Sequence, residues 1–223
     1  MKKLTAVFLS ILLAFSALTL GANAADTPKT QKLIDAINGG QAVKVTLKSG
    51  TTMLGSSSDT FIIKGNALAY EYNTGLFNIR LLLKDGALYA YLPKLPFFYV
   101  KMSALELGMG ALDVPTLVKL ATGATFAILR YVKSYQETID GVNYDVEEYF
   151  DNASVTAKFC YVGDQLKLLK VTDAQTHSVQ NTYFESISFD VSDSEVAAPV
   201  GLNVTPLFKV LFASLLVSAL IPA

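Results

Sequence analysis

Glycine-bearing turn dipeptides constrain the fold of this chain more than any other feature of its sequence. Gly65-Asn66, Asp85-Gly86 and Gly163-Asp164 are each followed one residue later by a leucine, and short apolar runs with alternating polarity flank them. Such dipeptides supply the positive φ angles that two-residue β-hairpin loops need. Because side chains in a strand alternate with a period of two, each dipeptide predicts an antiparallel strand pair and its register.

The predicted registers give each hairpin one apolar face. The predicted cross-strand pairs are Leu83–Leu88, Leu81–Ala90 and Ile79–Leu92 around Asp85-Gly86, Ile63–Leu68 and Phe61–Tyr70 around Gly65-Asn66, and Tyr161–Leu166 and Phe159–Leu168 around Gly163-Asp164. The opposite face of the Asp85-Gly86 hairpin, which includes Arg80 and Leu82, is expected to meet water through polar side-chain tips. A two-stranded ribbon cannot bury an apolar face alone, so we expect the strands to join a larger sheet that wraps something apolar.

Helical patterns interrupt the strands at two places. Residues 30–37 have helical periodicity and end at Asn38-Gly39-Gly40, which is typical of a helix stop. Between the two strand blocks, Ser103 and Glu106 have capping-box spacing, and Asp113-Val114-Pro115 begins a second helical pattern. The sequence therefore predicts a β-rich α+β fold, in which a curved, unclosed antiparallel sheet (a half-barrel) carries one or two helices on its concave face.

The N-terminus has the features of a secretory signal peptide. Lys2 and Lys3 precede a long uncharged apolar run, and Ala22-Asn23-Ala24 places small residues at the positions that signal peptidase reads. Residues 1–24 are therefore predicted to be cleaved, with an uncleaved membrane anchor as the alternative. No cysteine stands directly after the apolar run, where the first mature residue would lie, which argues against a bacterial-type lipid anchor. We expect an exported protein, extracellular or in the cell envelope.

The rest of the chain divides into one domain and an apolar tail. Residues 25–204 are expected to form a single half-barrel domain, because a chain of this length can bury one core. Residues 205–223 form the tail, in which Lys209 is the only charge between Leu207 and Ile221. A helix of this segment would be apolar on every side and about 24 Å long, shorter than the roughly 30 Å hydrocarbon core of a bilayer. It is interpreted as a membrane anchor, a helix docked on the concave face or a partner-binding segment.

The composition gives little support for catalysis. The chain has one histidine, one cysteine and no tryptophan. His177 is the only histidine that could act as the base of a Ser-His-Asp triad, but no serine lies in the glycine pattern of a nucleophile elbow. Cys160 is expected to be a small hydrophobe in a strand. One His and one Cys cannot supply a zinc site, and the acidic run from Asp190 to Glu195 lacks the ligand spacing and glycine of a calcium loop. We expect a non-enzymatic protein without metal or cofactor.

The charge of the mature chain bears on its partners. Removing Lys2 and Lys3 from the 18 basic residues leaves 16 against 19 acidic residues, a net charge of −3. This balance argues against nucleic acid as an electrostatically steered partner.

Glu148 is a carboxylate whose environment depends on one loop. If Asp151-Asn152 is a two-residue loop, Glu148 shares an apolar face with Tyr144, Val146, Phe150, Val155, Ala157 and Phe159. A lone carboxylate on such a face must pair, raise its pKa or meet a polar ligand group. If the loop is longer, the register slips by one residue and Glu148 points to water.

The order of these segments resembles the LolA-like half-barrel superfamily. The resemblance rests on Lys84-Asp85-Gly86-Ala87-Leu88-Tyr89, on Asp140-Gly141-Val142-Asn143-Tyr144-Asp145-Val146-Glu147-Glu148-Tyr149, on Gly163-Asp164-Gln165-Leu166-Lys167 and on Ala198-Pro199-Val200-Gly201-Leu202. It covers residues 28–204 and is greatest to secreted members from anaerobic Gram-positive bacteria. It implies an unclosed β-barrel whose hydrophobic concave surface shelters acyl chains of lipoproteins or lipids. The chain differs from the periplasmic lipoprotein carriers in its apolar tail and in lacking a recognisable lid arginine.

Two functions follow as expectations. The first is an exported, non-enzymatic protein that binds or shields a hydrophobic ligand, a lipid or acyl chain, in the half-barrel cavity. Its candidate ligand-binding residues are Ile79, Leu81, Leu83, Leu88, Leu92, Tyr144, Val146, Glu148 and Phe159. The alternative is a membrane-attached envelope scaffold or interaction protein, held by membrane contact through Leu207 to Ile221.

Overall fold

The structure is a computed structural model, and it describes residues 27–52, 55–74, 77–103, 106, 114, 129–151 and 153–206. The predicted signal peptide, most of the helical pattern between residues 104 and 128, and the apolar tail from residue 207 lie outside these residues.

The described residues form a helix, a short 3₁₀ helix and a long series of strands. They are α1 (Lys29–Asn38), β1 (Val43–Thr52), β2 (Gly55–Lys64), β3 (Ala67–Asn73), β4 (Asn78–Lys84), β5 (Ala87–Leu92), β6 (Leu95–Ser103), β7 (Arg130–Ile139), β8 (Val142–Phe150), β9 (Val155–Val162), β10 (Gln165–Asp173), β11 (Ser178–Ser188), the 3₁₀ helix η1 (Asp193–Val196) and β12 (Leu202–Asn203).

The strands form a single twelve-stranded sheet in the order β12-β6-β5-β4-β3-β2-β1-β11-β10-β9-β8-β7. Two antiparallel meanders, β1–β6 and β7–β11, meet where β1 pairs with β11. The two-residue strand β12 is parallel to β6, whereas the other neighbouring pairs are antiparallel. The sheet is curved and not closed, with β12 and β7 at its two ends. The predicted fold class is therefore confirmed.

The Asp85-Gly86 loop forms the predicted hairpin. Asp85 has φ 49° and Gly86 has φ 71°, and positive φ at both central positions is typical of a type I′ turn. The predicted pairs Leu83–Leu88 and Leu81–Ala90 are confirmed, whereas the pairing of β4 and β5 ends before Ile79 and Leu92. The Gly65-Asn66 hairpin has both of its predicted pairs, Ile63–Leu68 and Phe61–Tyr70.

The Gly163-Asp164 hairpin departs from its predicted register after one pair. Tyr161 pairs with Leu166 as predicted, but a β-bulge follows between Leu166 and Leu168. Leu168 therefore pairs with Cys160, so the predicted pair of Leu168 with Phe159 is wrong. An extra residue in one strand moves the next side chain to the other face of the sheet.

Helix α1 forms over the predicted segment and packs on the concave face. Its apolar side chains Ile34 and Ile37 are buried, and the helix ends where Gly39 N–H donates to the Asp35 carbonyl at 2.8 Å. Gly40 follows with φ 80°, a conformation that glycine adopts readily. The concave core contacting α1 comprises Val43, Val45, Leu47, Phe61, Leu129, Tyr149, Ala157, Phe159, Tyr161, Leu166, Leu169 and Phe184.

The outer face of β2–β4 carries a second core, which corrects one expectation. The sequence predicts that Leu82 lies on a mixed face in contact with water, but Leu82 is fully buried. The segment from Val191 to Val196, which contains η1, covers this face, and we call it the covering segment. Its Val191 and Val196 pack with Ile62, Ala67, Ala69 and Leu82. Lys64 Nζ donates to the Val191 carbonyl at 2.7 Å, and Lys84 Nζ donates to the Val196 carbonyl at 3.1 Å. The ammonium groups of Lys64 and Lys84 therefore bind the covering segment through its carbonyl groups and do not point only to water.

The chain between β6 and β7 joins two strands that lie second and last in the strand order. It begins with the predicted capping box, in which Ser103 N–H donates to Glu106 Oε2 at 2.9 Å and Glu106 N–H donates to Ser103 Oγ at 3.2 Å. Further along, Val114 is buried and its N–H donates to Asn66 Oδ1 at 3.3 Å. Val114 therefore contacts the turn between β2 and β3.

Candidate functional site

The five predicted site residues on β4 and β5 lie on the same face of the sheet as the core under α1. Directly paired residues in neighbouring antiparallel strands point to the same side. Val43 on β1 is linked in this way through Ile63, Leu68 and Leu83 to Leu88 on β5. By strand alternation, the same side carries Ile79, Leu81, Leu83, Leu88 and Leu92. The structure thus brings these five residues together on the concave face.

This part of the concave face is open at one end. The exposed fraction is 45 % for Ile79, 37 % for Leu92, 55 % for Leu95 and 58 % for Phe98. At the other end of the same strands, next to the turn that Val114 contacts, Leu83 and Met102 are buried. We call Ile79, Leu81, Leu88, Leu92, Leu95 and Phe98 the open apolar surface.

Leu95 and Phe98 were missed by the sequence prediction. Leu95 pairs with Leu92 across the β5–β6 turn, and Phe98 alternates with Val100, which pairs with Ala90. The available signal was the run Leu95-Pro96-Phe97-Phe98 directly after Pro93-Lys94. Proline in a strand is typical of positions that lack a ladder hydrogen bond, and exposed aromatic residues near such a position are candidates for a binding surface.

A polar pair separates the open apolar surface from the core under α1. Asp59 is buried and pairs across the sheet with Leu47 and Tyr72, and Tyr72 in turn pairs with Ile79. The Tyr70 hydroxyl donates to Asp59 Oδ1 at 2.6 Å. Burial of Tyr70 and its hydrogen bond to this carboxylate both raise the tyrosine pKa well above its usual range. The pair is a fixed polar boundary beside Ile79.

The remaining predicted site residues do not join this surface, because the β8–β9 loop is longer than two residues. Asp151 Oδ1 accepts hydrogen bonds from the N–H groups of Ala153, Ser154 and Val155 at 2.8–2.9 Å, and Glu148 pairs with Lys158. The two-residue loop is thus wrong and the longer loop is confirmed. The register differs by three residues, an odd number, so Tyr144, Val146 and Glu148 lie on the outer face. Phe159 is on the concave face but fully buried in the core under α1.

On the outer face these residues have structural partners. Glu148 Oε2 accepts a hydrogen bond from the Tyr135 hydroxyl at 2.7 Å, and burial together with this bond raises the pKa of Tyr135 to about 12. Tyr144 and Val146 pack with Cys160 and Leu168 in a small separate core. Burial raises the pKa of the Cys160 thiol to about 11. Cys160 thus has the predicted position of a small hydrophobe in a strand.

Glu147, which the sequence prediction missed, is the residue of the Glu147-Glu148 pair whose carboxylate lies on the concave face. It is buried, and Oε1 accepts the Lys29 N–H at 2.6 Å while Oε2 accepts the Thr30 N–H at 2.9 Å. A carboxylate at a helix N-terminus satisfies backbone donors that lack helical partners and interacts favourably with the helix dipole. Glu147 therefore fixes α1 on the sheet. The signal was the Glu147-Glu148 doublet, because one of two consecutive strand residues must face inward.

A cleft of about 440 Å³ lies beside α1, separate from the open apolar surface. The helix contributes Lys29, Lys32 and Leu33 to the lining, and the sheet contributes Leu166 of β10 and Ile187 of β11. Lys29 Nζ is already engaged, since it donates to the Gly163 carbonyl at 2.6 Å and lies 3.4 Å from Asp164 Oδ1 and 3.6 Å from Asp145 Oδ2.

The other residues considered in the sequence for catalysis or metal binding are His177 and the acidic run from Asp190 to Glu195. His177 is in an exposed turn with φ 53°. In the acidic run, Asp193 and Glu195 form ion pairs with Lys64 and Lys44, both at 2.7 Å. No cluster of three or more His, Cys, Asp or Glu side chains suited to a metal ion occurs among the described residues. Within those same ranges, no helix has the length and hydropathy needed to span a bilayer.

Comparisons with known proteins assign no family or function to this chain. No protein-family model and no curated protein matches this chain. Among the solved structures, an uncharacterized conserved protein from Thermus thermophilus is 8 % identical, with 81 % of this chain and 93 % of that chain covered. The TM-score is 0.35, a value that supports no conclusion about fold or function.

Proposed function

We propose that this is an exported, non-enzymatic protein that binds or shields a lipid or acyl chain on its open apolar surface. The observation that carries the proposal is the exposure of Ile79, Leu92, Leu95 and Phe98 next to one another on the concave side of the sheet. Contiguous exposed apolar surface of this kind is typical of ligand or partner sites.

The surface suits an elongated apolar ligand. Leu81 and Leu88 are half-buried and continue the exposed end toward the buried Leu83, so an acyl chain could lie along the strands with apolar contacts throughout. Removing a methylene group from water contributes roughly 0.8 kcal/mol when it is fully buried. The proposal agrees with what the resemblance to the LolA-like superfamily implies, a hydrophobic concave surface that shelters acyl chains.

Native mass spectrometry of the gently purified protein tests this function. We expect a co-purifying lipid or fatty acid that is lost in the variants Ile79→Asp and Phe98→Asp, because a carboxylate in the surface has to be desolvated by an apolar ligand. Val162→Asp is the matched control, since Val162 is also 45 % exposed but lies on the outer face near the β9–β10 turn. A ligand-free mass for the unsubstituted protein, or equal loss in the control, would count against the proposal.

One observation favours a second function, a membrane-attached envelope scaffold. Lys101 N–H donates to Thr205 Oγ1 at 2.7 Å, and the same hydroxyl donates to the Lys101 carbonyl at 3.0 Å. The apolar tail therefore begins beside β6, the strand that carries Phe98. Deleting residues 207–223 and fractionating cells tests this alternative. A scaffold held by its tail moves from the membrane fraction to the soluble fraction, whereas an unchanged membrane fraction contradicts it.

A further inference from the structure

We propose that the cleft beside α1 is a second binding site, which takes a small amphiphilic anion such as a medium-chain carboxylate. The site is independent of the open apolar surface, because it lies between α1, the β9–β10 hairpin and the end of β11. Its volume of about 440 Å³ falls within the roughly 300–1,000 Å³ that small-molecule sites occupy.

The floor of the cleft fits an apolar chain. Leu33, Leu166, Ile187 and Phe189 line it, and Leu166 is buried while the other three are half-buried. Partly covered aliphatic and aromatic side chains provide a contact surface for methylene groups without any rearrangement of the core. The apolar walls therefore account for the tail of the ligand.

The rim of the cleft fits a negatively charged head group. Lys29 and Lys32 are three residues apart, so both ammonium groups lie on one side of α1. Lys29 Nζ is held by the Gly163 carbonyl at 2.6 Å, and its contacts with Asp164 and Asp145 are longer, at 3.4 and 3.6 Å. The side chain of Asp164 is 97 % exposed, so a ligand carboxylate displaces it from Lys29 at little cost. Lys32 is exposed on the same rim and adds a second positive charge.

This arrangement predicts opposite effects from two substitutions. Lys32→Gln removes an attractive charge, and we expect it to weaken decanoate binding by about two- to fivefold, the range for exposed ion pairs. Asp164→Asn removes a competing carboxylate and should strengthen binding by about twofold. For decylamine both signs reverse. Lys48→Gln is the control, because Lys48 is an exposed lysine on β1 outside the cleft.

Titration of the full-length purified protein with decanoate, decylamine and decanol, followed by methyl NMR and calorimetry, tests the site. We expect decanoate to bind more tightly than the other two, to shift the methyl signals of Leu33, Leu166 and Ile187, and to bind about fourfold more weakly for each methylene removed. Equal binding of decylamine or decanol overturns the proposal, and so does the absence of decanoate binding. Shifts confined to Leu81 and Leu88 also overturn it, while supporting the open apolar surface as the binding site.

Discussion

Two parts of the same sheet face differ in what covers them. On β8–β11 the concave side is closed by α1, and Tyr149 and Phe159 are fully buried there. On β4–β6 the concave side ends in exposed Ile79 and Phe98. On the outer side of this region, Leu82 of β4 packs against the segment that contains η1. The concave face is thus covered by a helix in one part and is partly exposed in the other, which has an additional core on its outer side.

The difference shows that the apolar pattern of a strand does not determine whether another element packs on its apolar face. Leu81 and Leu83 on β4 alternate as regularly as Phe159 and Tyr161 on β9. One difference between the two regions is a contact between residues far apart in sequence, the hydrogen bonding of the α1 N-terminus by Glu147. Covered apolar residues contribute to folding, whereas uncovered ones remain available for a ligand.

The largest expected effect comes from truncating one phenylalanine in each region. Phe159→Ala removes a fully buried ring and should lower the free energy of unfolding by about 3–5 kcal/mol. Phe98→Ala removes a ring that is 58 % exposed and should change it by less than about 0.5 kcal/mol. Urea unfolding of both variants measures the contrast. Similar losses would show that the open apolar surface is part of the folding core.

The next effect concerns the contact that holds α1. Glu147→Ala leaves the N–H groups of Lys29 and Thr30 without their carboxylate partner, and we expect a loss of about 2–3 kcal/mol because Thr30 is buried. Glu148→Ala removes one half-buried hydrogen bond with Tyr135 and should cost about 1 kcal/mol. Amide hydrogen exchange should show faster exchange in α1 only for Glu147→Ala. Unchanged exchange in α1 would contradict the role assigned to Glu147.

Local sequence signals were sufficient for the Gly65-Asn66 hairpin, for the Asp85-Gly86 turn and for α1. The Asp85-Gly86 dipeptide predicted both its turn and the pairing of Leu83 with Leu88, because a two-residue loop determines the register directly. The same reasoning failed after Leu166, where a bulge shifts the register, and at Asp151, where side-chain hydrogen bonds stabilise a longer loop. Neither feature changes the apolar pattern that the prediction used.

The candidate site could be predicted in part for the same reason. Ile79 and Leu88 share the predicted face because they belong to one hairpin, whose register is local. A two-residue loop places Glu148 on the apolar face, yet Glu147 occupies it, since the odd shift in the β8–β9 register exchanges the two faces of β8. The burial of Leu82 required the segment ending at Val196, which lies more than a hundred residues away in sequence.

Backbone strain in the turns should destabilise the two regions equally. Such an equal effect would distinguish the cost of a positive φ angle from the effect of packing by α1. Gly86 in the β4–β5 turn has φ 71° and Gly163 in the β9–β10 turn has φ 60°. A Cβ at either position meets no heavy atom within 4 Å, so the cost of alanine is the left-handed conformation alone, about 1–2 kcal/mol. We expect Gly86→Ala and Gly163→Ala to lower the thermal midpoint by similar amounts in calorimetry. A much larger loss at Gly163 would mean that cover by α1 depends on this turn.

The smallest effect is a pH dependence of the outer core that stabilises β2–β4. Glu195 Oε1 accepts a hydrogen bond from Lys44 Nζ at 2.7 Å, and this bond lowers the pKa of the Glu195 carboxyl below its usual value although burial opposes the shift. A carboxyl with a lowered pKa in the folded state stabilises the fold above its unfolded pKa of about 4.3 and loses that contribution as pH falls through the folded value. The side chain is 25 % exposed, so we expect less than about 1 kcal/mol.

Glu195→Gln isolates this charge, because glutamine can also accept the capping-box hydrogen bond from the Ser192 N–H. The variant should be less stable than the unsubstituted protein at pH 7, and the difference should disappear as pH falls through the folded pKa of Glu195. Urea unfolding at a series of pH values measures it, with proteolysis near Asp193 reporting release of the segment. A constant difference at all pH values would show that the effect does not come from the Glu195 charge, and the apolar contacts of Val191 and Val196 would then hold the outer core on β2–β4 without its help.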